Sequence, residues 1–257
     1  MTVAGDLIAH RLGRAYGPDN SATALRRSLQ GPIDGVETDV CMTADGELVL
    51  LHDPLLSMGT TLDGWAHERT LEELSRASIL DRDGKPTGEP PLTLDQLLSE
   101  TPPELIVQVE VKTQSNPELA RRTAAAICRR YGGSSQRDRL EVISFHTDAC
   151  EVAAVAGFRT RLVIWADYAP QVLARWAMRM GVTGVKVEHF LLTPELVGTL
   201  RTAGITVSTG TVNDVELLEK VMTARPHCIT TDRPHELRGE AIARGLLPAG
   251  GELLAAA

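Results

Sequence analysis

Cysteine is scarce in this 257-residue chain, and its four residues (Cys41, Cys128, Cys150 and Cys228) form neither a CxxC pair nor a metal-ligand spacing. That excludes a disulfide framework or a zinc ribbon and makes a reducing compartment the default. No apolar run approaches the ~20 residues that a membrane helix needs, so no transmembrane segment is expected. The start, MTVAGDLIAHRLG, lacks the basic and apolar regions of a signal peptide, and a cytoplasmic location is expected. Positive charge is in deficit, with 26 basic against 34 acidic residues and a net charge of −8. This argues against sequence-independent nucleic-acid binding and against docking on an anionic bilayer. The expected partner is a small molecule; if it is anionic, the site must supply its own local positive charge. Only four of the basic residues are lysine: Lys85, Lys112, Lys186 and Lys220. Nothing in the sequence sets an oligomeric state.

What is present is ordinary for a globular protein: 43% hydrophobic and 23% charged residues, enough to bury a large core. Short apolar runs at 7–10, 35–40, 48–52, 105–112, 140–145, 161–165, 184–187, 205–208 and 228–230 read as strands. Several are continuously apolar, as in parallel strands covered on both sides. Helical patterns lie between them at 21–29 (with Asn20 as N-cap), 117–131, 170–180, 194–203 and 215–223. Gly132–Gly133 and Gly204 supply stop signals. This alternation predicts an α/β fold, a (β/α)8 TIM barrel, over a single domain spanning 1–257. No G-x-G-x-x-G turn follows the first strand, which disfavours a doubly wound open sheet. The ninth run is explained by Asp45-Gly46, a hairpin turn joining 36–40 to 48–52. The aperiodic stretch 54–91 reads as an insertion over one end of the barrel, and 246–257 as a frayed tail.

Barrel active sites sit at the C-terminal ends of strands, where four charged pieces fall: His10-Arg11, Glu37-x-Asp39, His52-Asp53 and Glu110-x-Lys112. Residues i and i+2 of a strand share a face, so Glu37 joins Asp39 and Glu110 joins Lys112. A hairpin centred near Asp45 puts His52 roughly opposite Asp39. Three converging carboxylates form a hard oxygen cage suited to Mg2+ or Ca2+. His10 and His52 are candidates for proton transfer, Arg11 and Lys112 for binding phosphate, and Asp53 for fixing a histidine or the hairpin. Each piece alone has a structural explanation: a solvated strand face for E-x-D, an ion pair for Glu110 and Lys112. Four together at four strand ends do not. His67, His189, His227 and His235 lack such company and read as surface or packing residues.

These residues resemble the glycerophosphodiester phosphodiesterases. The family's H-R-G, P-E-N-T, E-x-D, T-x-D-G and H-D stand here as His10-Arg11, Pro18-Asp19-Asn20, Glu37-Thr38-Asp39, Thr43-Ala44-Asp45-Gly46 and His52-Asp53. Its E-x-K, S-F, T-V-N and T-D-x-P are Glu110-Val111-Lys112, Ser144-Phe145, Thr211-Val212-Asn213 and Thr231-Asp232-Arg233-Pro234. The resemblance implies a metal-dependent barrel hydrolase releasing glycerol 3-phosphate and an alcohol. Its metal ligands would be Glu37, Asp39 and Glu110, with His10 as base and His52 as acid. The same constellation would also serve a phospholipase-D-like lyase stopping at a cyclic phosphate, or a specialised diesterase or diphosphate-processing enzyme. Four positions depart from the pattern: Leu12 for Gly, Asp19 for Glu, Ser21 for Thr, and Gly210 for a Trp before T-V-N. The last predicts a vacated pocket wall that admits a bulkier alcohol, so that Gly210→Trp would narrow the substrate range.

Overall fold

The computed structural model describes residues 5–247. Nine strands form one sheet: β1 (Asp6–Ala9), β2 (Gly35–Met42), β3 (Leu48–Leu50), β4 (Ile106–Val111), β5 (Leu140–Ser144), β6 (Arg159–Ile164), β7 (Gly184–Glu188), β8 (Thr206–Gly210) and β9 (Cys228–Thr231). Eight of them pair in parallel in the order β1-β9-β8-β7-β6-β5-β4-β2, and pairing of β1 with β2 closes the barrel. β3 is the exception, antiparallel to β2 in the register Met42↔Leu48 to Val40↔Leu50. That register centres on position 45, as the Asp45-Gly46 turn predicts. Extended, it places Leu51 opposite Asp39, one residue short of His52.

The helices are α1 (Ala22–Ser28), α2 (Leu71–Leu74), α3 (Leu94–Glu100), α4 (Pro117–Tyr131), α5 (Thr147–Val155), α6 (Pro170–Met180), α7 (Pro194–Thr202), α8 (Val215–Met222) and α9 (Pro234–Ala243). α4 and α6 keep their predicted limits; α1, α7 and α8 end one residue early. Periodicity alone missed α2, α3, α5 and α9. Two of these carry a local signal nonetheless: Thr70 with Glu73 and Thr93 with Gln96 form capping boxes, the T-x-x-E/Q signature of a helix start. No helix among the described residues is long and apolar enough to cross a membrane.

The predicted N-cap Asn20 needs correcting. Ser21 caps α1, its hydroxyl accepting from the Ala24 amide at 2.9 Å, while Asn20 takes a left-handed φ of 58° and turns its side chain elsewhere. The segment 54–91 is no featureless cover. Leu56, Ala66 and Leu74 bury against Cys41, Val49 and Leu51 of the hairpin in a small core of their own. Of the expected frayed tail, Leu246 and Leu247 pack on the core beside α8 and α9, and 248–257 lie outside the described residues.

The barrel interior is more polar than the apolar strand runs suggest. Buried Arg161 donates to Glu141 Oε1 at 2.7 Å, and Gln108 donates to Glu141 Oε2 at 2.7 Å. Gly184 makes room for this: a Cβ there would lie 2.5 Å from Arg161 Nη1. Burial opposes ionisation of Glu141, but Arg161 and the Gln108 amide outweigh it and hold the carboxyl below its ordinary value. Arg161→Met, which leaves Glu141 buried and unpaired, is expected to cost about 3–5 kcal/mol of stability. Urea denaturation measures it, and adding Glu141→Gln should recover much of the loss. A loss below 1 kcal/mol would show that water reaches the pair.

Candidate active site

β1 ends in a single turn of 3-10 helix, His10–Leu12, that throws Arg11 and Leu12 into positive φ (47° and 65°). A leucine in this conformation costs roughly 1–2 kcal/mol. Leu12 offsets it by full burial in the core cluster that includes Ala24 and Leu25. The turn points the His10 ring over the barrel mouth. His10 Nδ1 lies 2.7 Å from Asp232 Oδ1, and Asn213 donates to Asp232 Oδ2 at 2.7 Å. Burial opposes ionisation of Asp232, but these two hydrogen bonds prevail and hold its carboxyl below the ordinary range. An ionised carboxylate only accepts, so Nδ1 carries the imidazole proton and Nε2 faces the cluster, 4.0 Å from Glu37 Oε2.

Glu37, Asp39 and Glu110 are all buried, and each presents an oxygen within 4.8 Å of the others. They alternate inward from β2 and β4, whose register sets Glu37 beside Gln108 and Asp39 beside Glu110. Glu37 Oε2 accepts from the Arg11 amide at 2.9 Å. Asp39 lies 3.3 Å from Lys112 Nζ and 3.6 Å from Arg11 Nε, and accepts from the Asn20 side chain at 3.0 Å. Lys112 also pairs with Glu110. Burial works against ionisation of Asp39, yet Lys112, His52, Arg11 and Asn20 together hold its carboxyl well below the ordinary range. Glu110 is pushed up by burial and by Asp39, against the pull of Lys112 and Lys186. His52 pairs through Nδ1 with Asp53 Oδ2 at 3.1 Å.

All seven predicted residues therefore meet at one end of the barrel. Three further contributors escaped sequence reading as participants. Asn20 reads as a helix cap that Ser21 makes instead, while Asp232, which holds His10, and Asn213, which holds Asp232, lie about 200 positions from that histidine. His146, just after β5, accepts no role from sequence, yet its Nε2 lies 2.9 Å from Thr113 Oγ1 near the same mouth. His235 behaves as a packing residue, stacked on Tyr16 with Nε2 2.8 Å from the Ser28 carbonyl.

Gly210 overturns its expectation. It is buried at the end of β8, and a Cβ there would lie 1.8 Å from Thr230 Oγ1 and 3.0 Å from both the Thr230 Cβ and carbonyl oxygen. The side-chain direction is filled by β9, so no pocket wall has been vacated. Gly210→Ala is expected to lose about 1–3 kcal/mol by overpacking. Gly210→Trp should lower Tm further rather than narrow the substrate range; an unchanged Tm with altered selectivity would restore the pocket-wall reading.

Known proteins resemble this chain in both sequence and fold. The sequence is 29% identical over 238 residues to a glycerophosphodiester phosphodiesterase of Caldanaerobacter subterraneus subsp. tengcongensis, covering 90% of this chain and 95% of that one. It is 28% identical over 250 residues to probable glycerophosphodiester phosphodiesterase 2 of Mycobacterium tuberculosis, covering 93% and 91%. The fold superposes with a TM-score of 0.81 on a putative glycerophosphoryl diester phosphodiesterase from Silicibacter pomeroyi, at 23% identity and 94% coverage of both chains. With a TM-score of 0.76 and 23% identity, it also matches an Oleispira antarctica phosphodiesterase solved in complex with the product sn-glycerol-3-phosphate, covering 91% and 95%. Residues 10–236, which span every element of the site from His10 to Asp232, match the glycerophosphoryl diester phosphodiesterase family, and the chain belongs to it.

Proposed function

We propose that this chain hydrolyses glycerophosphodiesters to glycerol 3-phosphate and an alcohol, with a hard divalent cation held by Glu37, Asp39 and Glu110. The carrying observation is the charge of the cluster. Three buried carboxylates present oxygens within 4.8 Å of one another, a concentration of negative charge that would repel a phosphodiester monoanion even with Arg11 and Lys112 at its border. A divalent cation would offset that charge, and an all-oxygen donor set suits Mg2+ or Ca2+. The family is generally divalent-metal dependent. When bound, the ion would act as a Lewis acid on a non-bridging phosphate oxygen.

The protein's own groups supply the rest. Arg11 and Lys112 border the cluster and hold the phosphate against it. Asp232 keeps the His10 proton on Nδ1, so Nε2 is free to take a proton from the attacking hydroxyl. His52, paired with Asp53, protonates the departing alcohol oxygen. The nucleophile is water or the substrate's own glycerol 2-hydroxyl, the latter favoured by proximity; attack by the 2-hydroxyl expels the alcohol and leaves a cyclic phosphate, which water then opens to glycerol 3-phosphate. The test is release of glycerol 3-phosphate from simple glycerophosphodiesters with Mg2+ or Ca2+, with and without chelator, followed by phosphorus NMR. Loss of turnover on chelation and its return with added cation are expected. Turnover indifferent to chelator would overturn the metal assignment, and a persistent cyclic phosphate would make the protein a lyase.

A further inference from the structure

We infer that the aromatic side chains crowning β5, β6 and β7 form a subsite for an extended apolar alcohol group on the diester, such as an alkyl or acyl chain. The inference rests on the proposed diesterase activity and names its substrate class. The chain has only nine aromatic residues among Phe, Trp and Tyr. Four of them, Phe145, Trp165, Tyr168 and Phe190, are exposed, with Trp165 73% and Phe190 69% accessible. All four follow the C-terminal ends of three consecutive strands, on the end of the barrel that carries the carboxylate cluster. Large exposed apolar groups gathered at one place mark a binding surface, whereas single ones do not.

The rim is continuous with the site. Lys112 Nζ, 3.3 Å from Asp39, also lies 5.6 Å from the centre of the Phe145 ring. The register Ser144↔Leu162 and Ile164↔Val187 then carries the row from Phe145 to Trp165 and on to Phe190, strand by adjacent strand. Tyr168 packs against Trp176, and His189 edges the Phe190 ring. The phosphate-binding groups come from β1, β2 and β4, so a diester anchored there has one ester arm free to run across the aromatics. A net charge of −8 disfavours an anionic bilayer as the occupant.

The test uses esters of glycerol 3-phosphate with ethanol, butanol and octanol, each below its aggregation concentration, on wild type, Trp165→Ser, Phe190→Ser and Val155→Ser. Val155 is an exposed apolar control at the C-terminus of α5, the opposite end of the barrel. A fully buried methylene is worth about fourfold; partial cover of six added methylenes gives an expected rise in kcat/KM of at least tenfold from ethyl to octyl. Trp165→Ser and Phe190→Ser should each cut that ratio at least threefold, and Val155→Ser should leave it intact. Tryptophan-fluorescence titration reads the same preference as affinity, whether or not turnover occurs. No turnover of any ester overturns the diesterase reading; a flat length dependence in both binding and turnover overturns the subsite. Two other results also overturn it: a choline ester preferred over its neutral 3,3-dimethylbutyl isostere through Trp165, and activation by phosphatidylcholine vesicles without any chain-length dependence.

Discussion

Alanine at Glu37, Asp39 or Glu110 is expected to remove divalent-cation binding and to lower turnover at least about 10³-fold, the scale of losing a principal electrostatic stabiliser in a water-excluded site. The three will not behave alike in stability. Asp39 faces Lys112 at 3.3 Å, Arg11 at 3.6 Å and Asn20 at 3.0 Å, so its removal leaves two cations less compensated and should cost the most. Glu110, crowded by Asp39 and raised above its ordinary carboxyl value, should cost the least in the cation-free protein. Calorimetric titration of Mg2+ and Ca2+, beside Tm for each variant, separates binding from folding. Undiminished binding in all three variants would remove the cluster from the mechanism.

His10→Ala and His52→Ala are each expected to lower kcat by about 10²–10⁴-fold, the ordinary worth of one general acid or base. The double variant should lose far less than the product of the two, because a base and an acid serving one displacement act as a unit. Asp232→Asn offers a finer discrimination. It keeps the shape, but an amide can donate to Nδ1 and so favour the wrong tautomer of His10, with Nε2 protonated. Its loss should appear in kcat with little change in KM, and should vanish in the His10→Ala background. A variant of either histidine with near-normal turnover would return that residue to a structural role.

The chemistry-bearing residues were legible because their signals are local. Alternation places Glu37 with Asp39 and Glu110 with Lys112, and Asp45-Gly46 fixes the hairpin within one residue of its register. Helix limits followed where Pro, Gly and amphipathic periodicity coincide, as at α4 and α6. α2, only four residues long, is too short for periodicity to register, and α3, no shorter than α1, announces itself only by its capping box.

Sequence by itself determined the barrel, the strand ends that carry charge, and the family resemblance, since each depends on residues a few positions apart. Only the tertiary structure decided what the partners of those residues are. Closure between β1 and β9 brings Asp232 and Asn213 to His10, and no local pattern specifies which of several polar side chains a distant strand will present. The same holds for Asn20, free to cap a helix until Asp39 offers a buried carboxylate to satisfy. It holds for Gly210 as well, where motif comparison predicts open space and the register of β8 on β9 supplies Thr230 instead. Local periodicity sets which face a residue occupies; the cost of leaving buried polar groups unpaired and of overlapping atoms, settled only when distant strands meet, sets what it touches.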